Sequence, residues 1–116
     1  MAKSTPLRTF FSHMLTDMKT RNKKNGFKND DRVTPEFLVH LWHEQRGMDC
    51  WTGRPMTTTR GLVDKKVRPT LCTPDRRENT RGYDMDNIRL SQWIVNKMRG
   101  DMSESDFGDI CADIKL

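Results

Sequence analysis

"CTPDRRENTRGYDMDNIRLSQWIVNKMRG", Cys72 to Gly100, holds an Asp behind a proline, two turn-forming runs, a Gly-Tyr pair and two widely spaced Asn residues. "GYDMDN" reads as a turn-rich link. "IRLSQWIVNKMRG" reads as a helix beginning near Ile88, with Leu90, Trp93, Ile94 and Met98 inward and Gly100 as its stop. Just upstream, "KKVRPTLCTP" alternates basic and apolar residues, the pattern of a short strand. The stretch therefore predicts a strand ending near Asp75, a loop, and a helix packed back across the hairpin.

Such packing brings Asp75 towards Asn96, two to three turns into the predicted helix. One carboxylate and one amide oxygen make half a coordination shell for a hard cation such as Mg²⁺ or Mn²⁺, with open positions left for phosphate oxygens. A metal held in that way polarises a phosphodiester and stabilises its leaving oxygen. Each residue also has a plain structural reading: Asp75 as a turn residue after Pro74, Asn87 as a helix N-cap, Asn96 as a polar residue on a helix surface.

Outward from this stretch, helices are signposted on both sides. Leu7, Phe10, Phe11, Met14, Leu15 and Met18 step by three and four along one face, and Asn25–Gly26 ends that helix. "RNKKNGFKNDDR" follows as a connector, with a solvated charge run favoured over a dedicated binding patch. In "VTPEFLVHLWHEQRG" Thr34 is the N-cap, Pro35 the first helical residue and Gly47 the stop, while Phe37, Leu38, Leu41 and Trp42 form the apolar stripe. His40 and His43 fall at its edge as boundary residues. Between Met48 and Cys72, short strands are expected, joined by the loop "TTTRGLVDKK". At the C-terminal end Ser103 caps a helix whose inner face is Phe107, Ile110, Cys111 and Ile114, with Met102 and Phe107 as its hydrophobic staple.

Composition limits the alternatives. A chain of 116 residues with 34% hydrophobic content supports one small domain with a modest core. The formal charge of +5, spread from Lys19 to Arg99, favours a polyanionic partner, nucleic acid ahead of membrane. No window approaches the ~20 apolar residues of a membrane span. Three widely spaced cysteines, Cys50, Cys72 and Cys111, and the lack of an apolar N-terminal leader suggest a cytoplasmic protein with reduced thiols.

Taken in order, "PDRRENTRGYDMDNIRLSQWIVNKM" resembles the ββα-metal finger of the HNH endonucleases. It is most similar to a phage and bacterial subgroup with Asp-Arg-Ile-Asp in place of the Asp-His motif. "LWHEQRGMDCWTGRPM" and "SESDFGDIC" extend the resemblance from about Val33 to Ile114. It implies a small α+β domain over 1–116: an N-terminal helix and basic connector (1–32), then the HNH-like region (33–116) with its finger at about 70–100. It further implies a divalent-metal-dependent endonuclease acting on DNA, in a bacterial or phage-infected cell. The alternative is a catalytically inactive module on the same scaffold that binds nucleic acid or a protein.

Carried over to this chain, the resemblance makes Asp75 and Asn96 metal ligands and Asn87 the brace of the loop, nine positions before Asn96 as in the family pattern. Arg76 stands where the wider family has its His general base, and a guanidinium cannot take a proton near neutrality. Three roles are open for this position: Arg76 binds the phosphate, Glu78 takes over as base or further ligand, or catalysis is lost and binding is kept. Arg77 and Glu78 replace the subgroup's Ile and Asp. Many relatives staple the finger with zinc on two Cys-x-x-Cys pairs, a pattern this chain lacks, so no structural zinc is expected and Trp42, Trp51 and Trp93 are assigned to the core. For DNA contacts, Arg76, Arg77, Arg89, Lys97 and Arg99 are the expected finger residues, with Lys65, Lys66 and Arg68 from the preceding loop.

Overall fold

The structure, a computed structural model, describes residues 5–114 and is a small α+β domain. Helix α1 (Pro6–Lys24) starts where Thr5 Oγ1 accepts the Arg8 N–H at 3.1 Å. It ends where Asn25 donates back to the Arg21 carbonyl at 3.0 Å and Gly26 turns the chain with φ +74°. Its buried stripe is Phe10, Phe11, Met14 and Met18, followed one turn on by Asn22. Helix α2 (Pro35–Glu44) is capped by Thr34 as expected, and packs on α1 through Leu38. Gly47, at φ +67°, lets the chain leave α2 beneath the Trp42 ring, where any Cβ would lie 2.9 Å from Trp42.

The loop between Met56 and Cys72 contains strands instead of joining them. β1 (Leu62–Val63) and β2 (Lys66–Val67) form a small hairpin, with Asp64 and Lys65 both at positive φ in the turn. The central sheet is β3 (Cys72–Arg76) antiparallel to β4 (Ile88–Gln92), with Asp75 opposite Arg89 and Pro74 opposite Leu90. Helix α3 (Trp93–Arg99) follows without a linker, and α4 (Glu104–Asp113) starts at the Ser103 cap.

The predicted helix from Ile88 is corrected here: Ile88–Gln92 is a strand, and the helix starts at Trp93. Ile88 and Leu90 are buried on one strand face, a period of two that a helical reading absorbs because Ile94 and Met98 follow at helical spacing. The first α3 amides are taken by carbonyls of the segment leading into β3, Trp93 N–H by Leu71 at 2.8 Å and Ile94 N–H by Pro69 at 3.0 Å, which sets the boundary. The inward residues of α3 are then Val95 and Arg99, while Ile94 and Met98 are exposed. A proline is tolerated inside β3 because its partner Leu90 directs its backbone outward, where the Gln45 amide donates to its carbonyl at 2.8 Å and accepts its N–H at 2.9 Å.

Two further expectations change. The three tryptophans are half-buried around a core of Phe10, Phe11, Met14, Met18, Leu38, Ile88 and Leu90. On α4 only Phe107 is buried, with Cys111 half-buried and Ile110 and Ile114 exposed. Burial raises the Cys50 thiol to about 12 and pushes Cys72 higher still, so both are protonated at neutral pH.

Asp49 locks the turn before the hairpin onto β4. Its Oδ1 accepts the Trp51 and Thr52 N–H groups, both at 2.7 Å, and the Thr52 hydroxyl at 3.1 Å. Its Oδ2 accepts the Ser91 hydroxyl at 2.8 Å and the Gln92 N–H at 2.6 Å. Asp49→Ala leaves these buried donors unpaired, and the expected loss is about 3 kcal/mol in urea unfolding, read as a lower midpoint at unchanged slope.

Candidate functional site

β3, β4 and α3 form the hairpin-and-helix unit, and the loop 77–87 between the strands is held by side-chain amides. Asn87, fully buried, accepts the Glu78 N–H at 2.9 Å and donates to the Glu78 and Gly82 carbonyls at 3.1 and 2.9 Å. It therefore braces the loop against the hairpin. From outside the unit, Asn22 on α1 accepts the Tyr83 N–H at 3.1 Å. Gly82 is obligatory at this contact, since a Cβ there would stand 2.8 Å from both Asn22 Oδ1 and Phe27 Cβ.

Asp75 and Asn96 do lie in one unit, but each is engaged within it. Asp75 is 2% exposed. Its Oδ1 accepts from Arg99 Nη1 at 2.7 Å; its Oδ2 accepts from Trp51 Nε1 at 3.0 Å and has Arg89 Nη2 at 3.5 Å. Asn96 sits in the first turn of α3, not two to three turns in, and donates its amide to the Pro74 carbonyl at 3.0 Å and to Thr73 Oγ1 at 3.3 Å. Asn96 thus ties α3 to β3.

Arg99 completes the arrangement. Its side chain is 1% exposed, and besides Asp75 it donates to the carbonyls of Arg76 at 2.5 Å, Arg77 at 2.6 Å and Met102 at 3.1 Å. One carboxylate and three carbonyls form an oxygen cage around a single guanidinium, which Trp51 covers at 5.7 Å. Arg89 sits over the Trp51 ring at 4.5 Å and pairs with Glu104 at 2.7 Å, leaving its buried Nε and Nη2 without a hydrogen-bond acceptor. Two cations thus face the Asp75 carboxylate. A divalent ion approaching it would meet both positive charges with no free carboxylate oxygen, so the residues as placed do not fit a metal at Asp75. Among the described residues, no group of three or more His, Cys, Asp or Glu side chains converges.

Arg76 has a role that none of the sequence readings gave it. It donates to the Asn79 and Arg81 carbonyls at 3.2 and 2.9 Å, and its guanidinium faces the Phe27 and Tyr83 rings at 5.8 and 5.5 Å. It is a brace inside the loop, clamped by an aromatic from the connector. Glu78 is exposed, with only its backbone engaged. Of the other residues expected to face nucleic acid, Arg77 is exposed but pairs with Glu104 at 3.3 Å, Arg89 and Arg99 point inward, and Lys97 is exposed over Trp93 at 4.7 Å. His40 and His43 are exposed on α2, His40 beside Glu44 at 2.9 Å.

The sequence reading missed Asp49 and Gln45, and it placed Arg99 outside. "DCWTG" does carry a turn signature that points to Asp49, whereas the letters give no signal that separates a caged arginine from a solvated one. No family model, curated protein or solved structure matches the chain.

Arg99→Met leaves Asp75 Oδ1 and the cage carbonyls without the guanidinium, and about 3 kcal/mol of stability should be lost in urea titration. The connector is linked to the loop by Asp30, whose carboxyl is held well below the usual carboxylate range, first by the Arg32 guanidinium at 2.9 Å and then by the Met85 N–H at 2.9 Å. A depressed folded value stabilises above the unfolded value of 3.8 and the gain disappears as pH falls through the folded one. The stability difference between wild type and Asp30→Asn should therefore be full at neutral pH and shrink steadily below about pH 4.

Proposed function

We propose that this chain binds nucleic acid through an HNH-like ββα finger in which an internal guanidinium, not a divalent ion, neutralises the buried carboxylate. The observation that carries this reading is the double engagement of Asp75 by Arg99 and Arg89, at 2.7 and 3.5 Å. A carboxylate so matched gives a rigid scaffold, and hydrolysis has no exposed ligand to start from. The order of strand, loop, strand and helix, the Asn87 brace and the formal charge of +5 support the nuclease-like nucleic-acid class. Among the described residues no helix is long and apolar enough to cross a membrane.

The second reading is the divalent-metal-dependent DNA endonuclease. It is favoured by the gathering of Asp75, Asn87 and Asn96 around one hairpin and helix. Plasmid incubated with the protein and Mg²⁺, Mn²⁺ or Ni²⁺ separates the two. The binding reading expects retarded but intact DNA under all three ions. Nicking that EDTA abolishes, and that Asp75→Ala and Asn96→Ala both remove while remaining folded, would replace it with the nuclease.

A further inference from the structure

We infer that the surface that meets nucleic acid is the groove between the end of α1 and the connector, with Lys19, Lys23 and Lys28 as its phosphate contacts; this rests on the nucleic-acid reading above. Lys19 and Lys23 are one helical turn apart on the same face of α1. Gly26, at φ +74°, reverses the chain so that Lys28 comes back alongside them. Thr16, Thr20, Phe27 and Asn29 fill the remaining wall, and no acidic side chain lines the groove.

All three lysines are exposed, and none has an ion-pair partner within the described residues. By contrast, the open groove on the α4 side of the finger is lined by Glu78, Asp101 and Glu104 with Arg77 as its one basic residue, and Arg77 already pairs with Glu104. A phosphate backbone is attracted to the first groove and repelled from the second. The five basic residues expected on the finger do not offset this, because four of them serve internal or paired roles.

The lysine groove is fixed to the finger without a hinge. Asn22, on the same helix between Lys19 and Lys23, accepts the Tyr83 N–H and donates to Asn29 Oδ1 at 3.1 Å each. Phe27 presses on Gly82 and faces the Arg76 guanidinium. A backbone lying on the three ammonium groups therefore runs beside the loop 77–87 in a set orientation. Lysines act as point charges on phosphate and none of the groove residues forms a planar fork for base edges, so binding is independent of sequence.

The test compares two triple variants of the full chain by fluorescence anisotropy on an arbitrary 20-base-pair duplex across a salt series. One carries Lys19→Gln, Lys23→Gln and Lys28→Gln. The control carries Arg46→Gln, Arg54→Gln and Arg60→Gln, the same charge removed from exposed positions elsewhere. The expected result is a salt slope shallower by about 2.7 in the first variant, three contacts at roughly 0.9 each, and by less than 1 in the control. Equal slopes in the two variants overturn the groove while leaving nucleic-acid binding intact. A wild-type chain that binds no duplex even at low salt overturns the nucleic-acid reading itself. Unchanged duplex binding in the lysine variant, with loss of binding to phosphatidylserine vesicles, overturns the groove as a nucleic-acid site and assigns it to an anionic membrane surface.

Discussion

The Arg99 guanidinium, enclosed by the Asp75 carboxylate and the carbonyls of Arg76, Arg77 and Met102, holds the end of β3, the end of α3 and the start of α4 together. Trp51 meets the same three elements from outside, donating to Asp75, covering Arg99 and standing edge-on to the Phe107 ring. A guanidinium suits the position because its donors lie in a plane and diverge, so one side chain reaches acceptors from separate segments. The buried pair is costly to desolvate, and what it supplies is geometric: without it the carbonyls beyond Arg76 face the interior unpaired. It therefore supports fold definition more than net stability.

A sheet of two five-residue strands provides few backbone ladders, and side chains stand in for the missing strands. The Gln45 amide pairs with both backbone groups of Leu90 as a third strand would. Asn87 does the same for Glu78 and Gly82, and the Asp49 carboxylate gathers five donors. Buried amides and carboxylates of this kind satisfy backbone groups that a larger sheet would pair with itself. The Asn residues of the opening stretch thus have structural tasks that do not depend on any ligand.

What the letters reveal follows the range of the forces involved. Helix caps act within four residues, so Thr34 with Pro35, Ser103 with Asp106 three residues on, and the Asn25–Gly26 stop could be read directly. The strand Ile88–Gln92 exists because β3 and Gln45 flank it, and neither partner is adjacent in sequence. Its apolar spacing merged with that of α3 for the same reason. At the site, the Asn87 brace came only with the family resemblance, since by itself the residue reads as a helix N-cap. The inward placement of Arg76, Arg89 and Arg99 could not be read, since an arginine facing a carbonyl cage and one facing water are spelled alike.

Charge connects this to function. Among 21 Lys and Arg residues, those of the finger are largely committed to carboxylates, carbonyls and aromatic rings, so few of its cations are left to face a polyanion. Unpaired positive charge lies instead on the end of α1 and the turn after it, where Lys19, Lys23 and Lys28 have no ion-pair partner among the described residues. Arginine's fork favours internal carbonyl and carboxylate partners, while lysine's hydrated ammonium stays in water and remains available to a polyanion. On the proposed nucleic-acid reading, this division of labour gives the rigid scaffold to the finger and the electrostatic contact to the helix beside it.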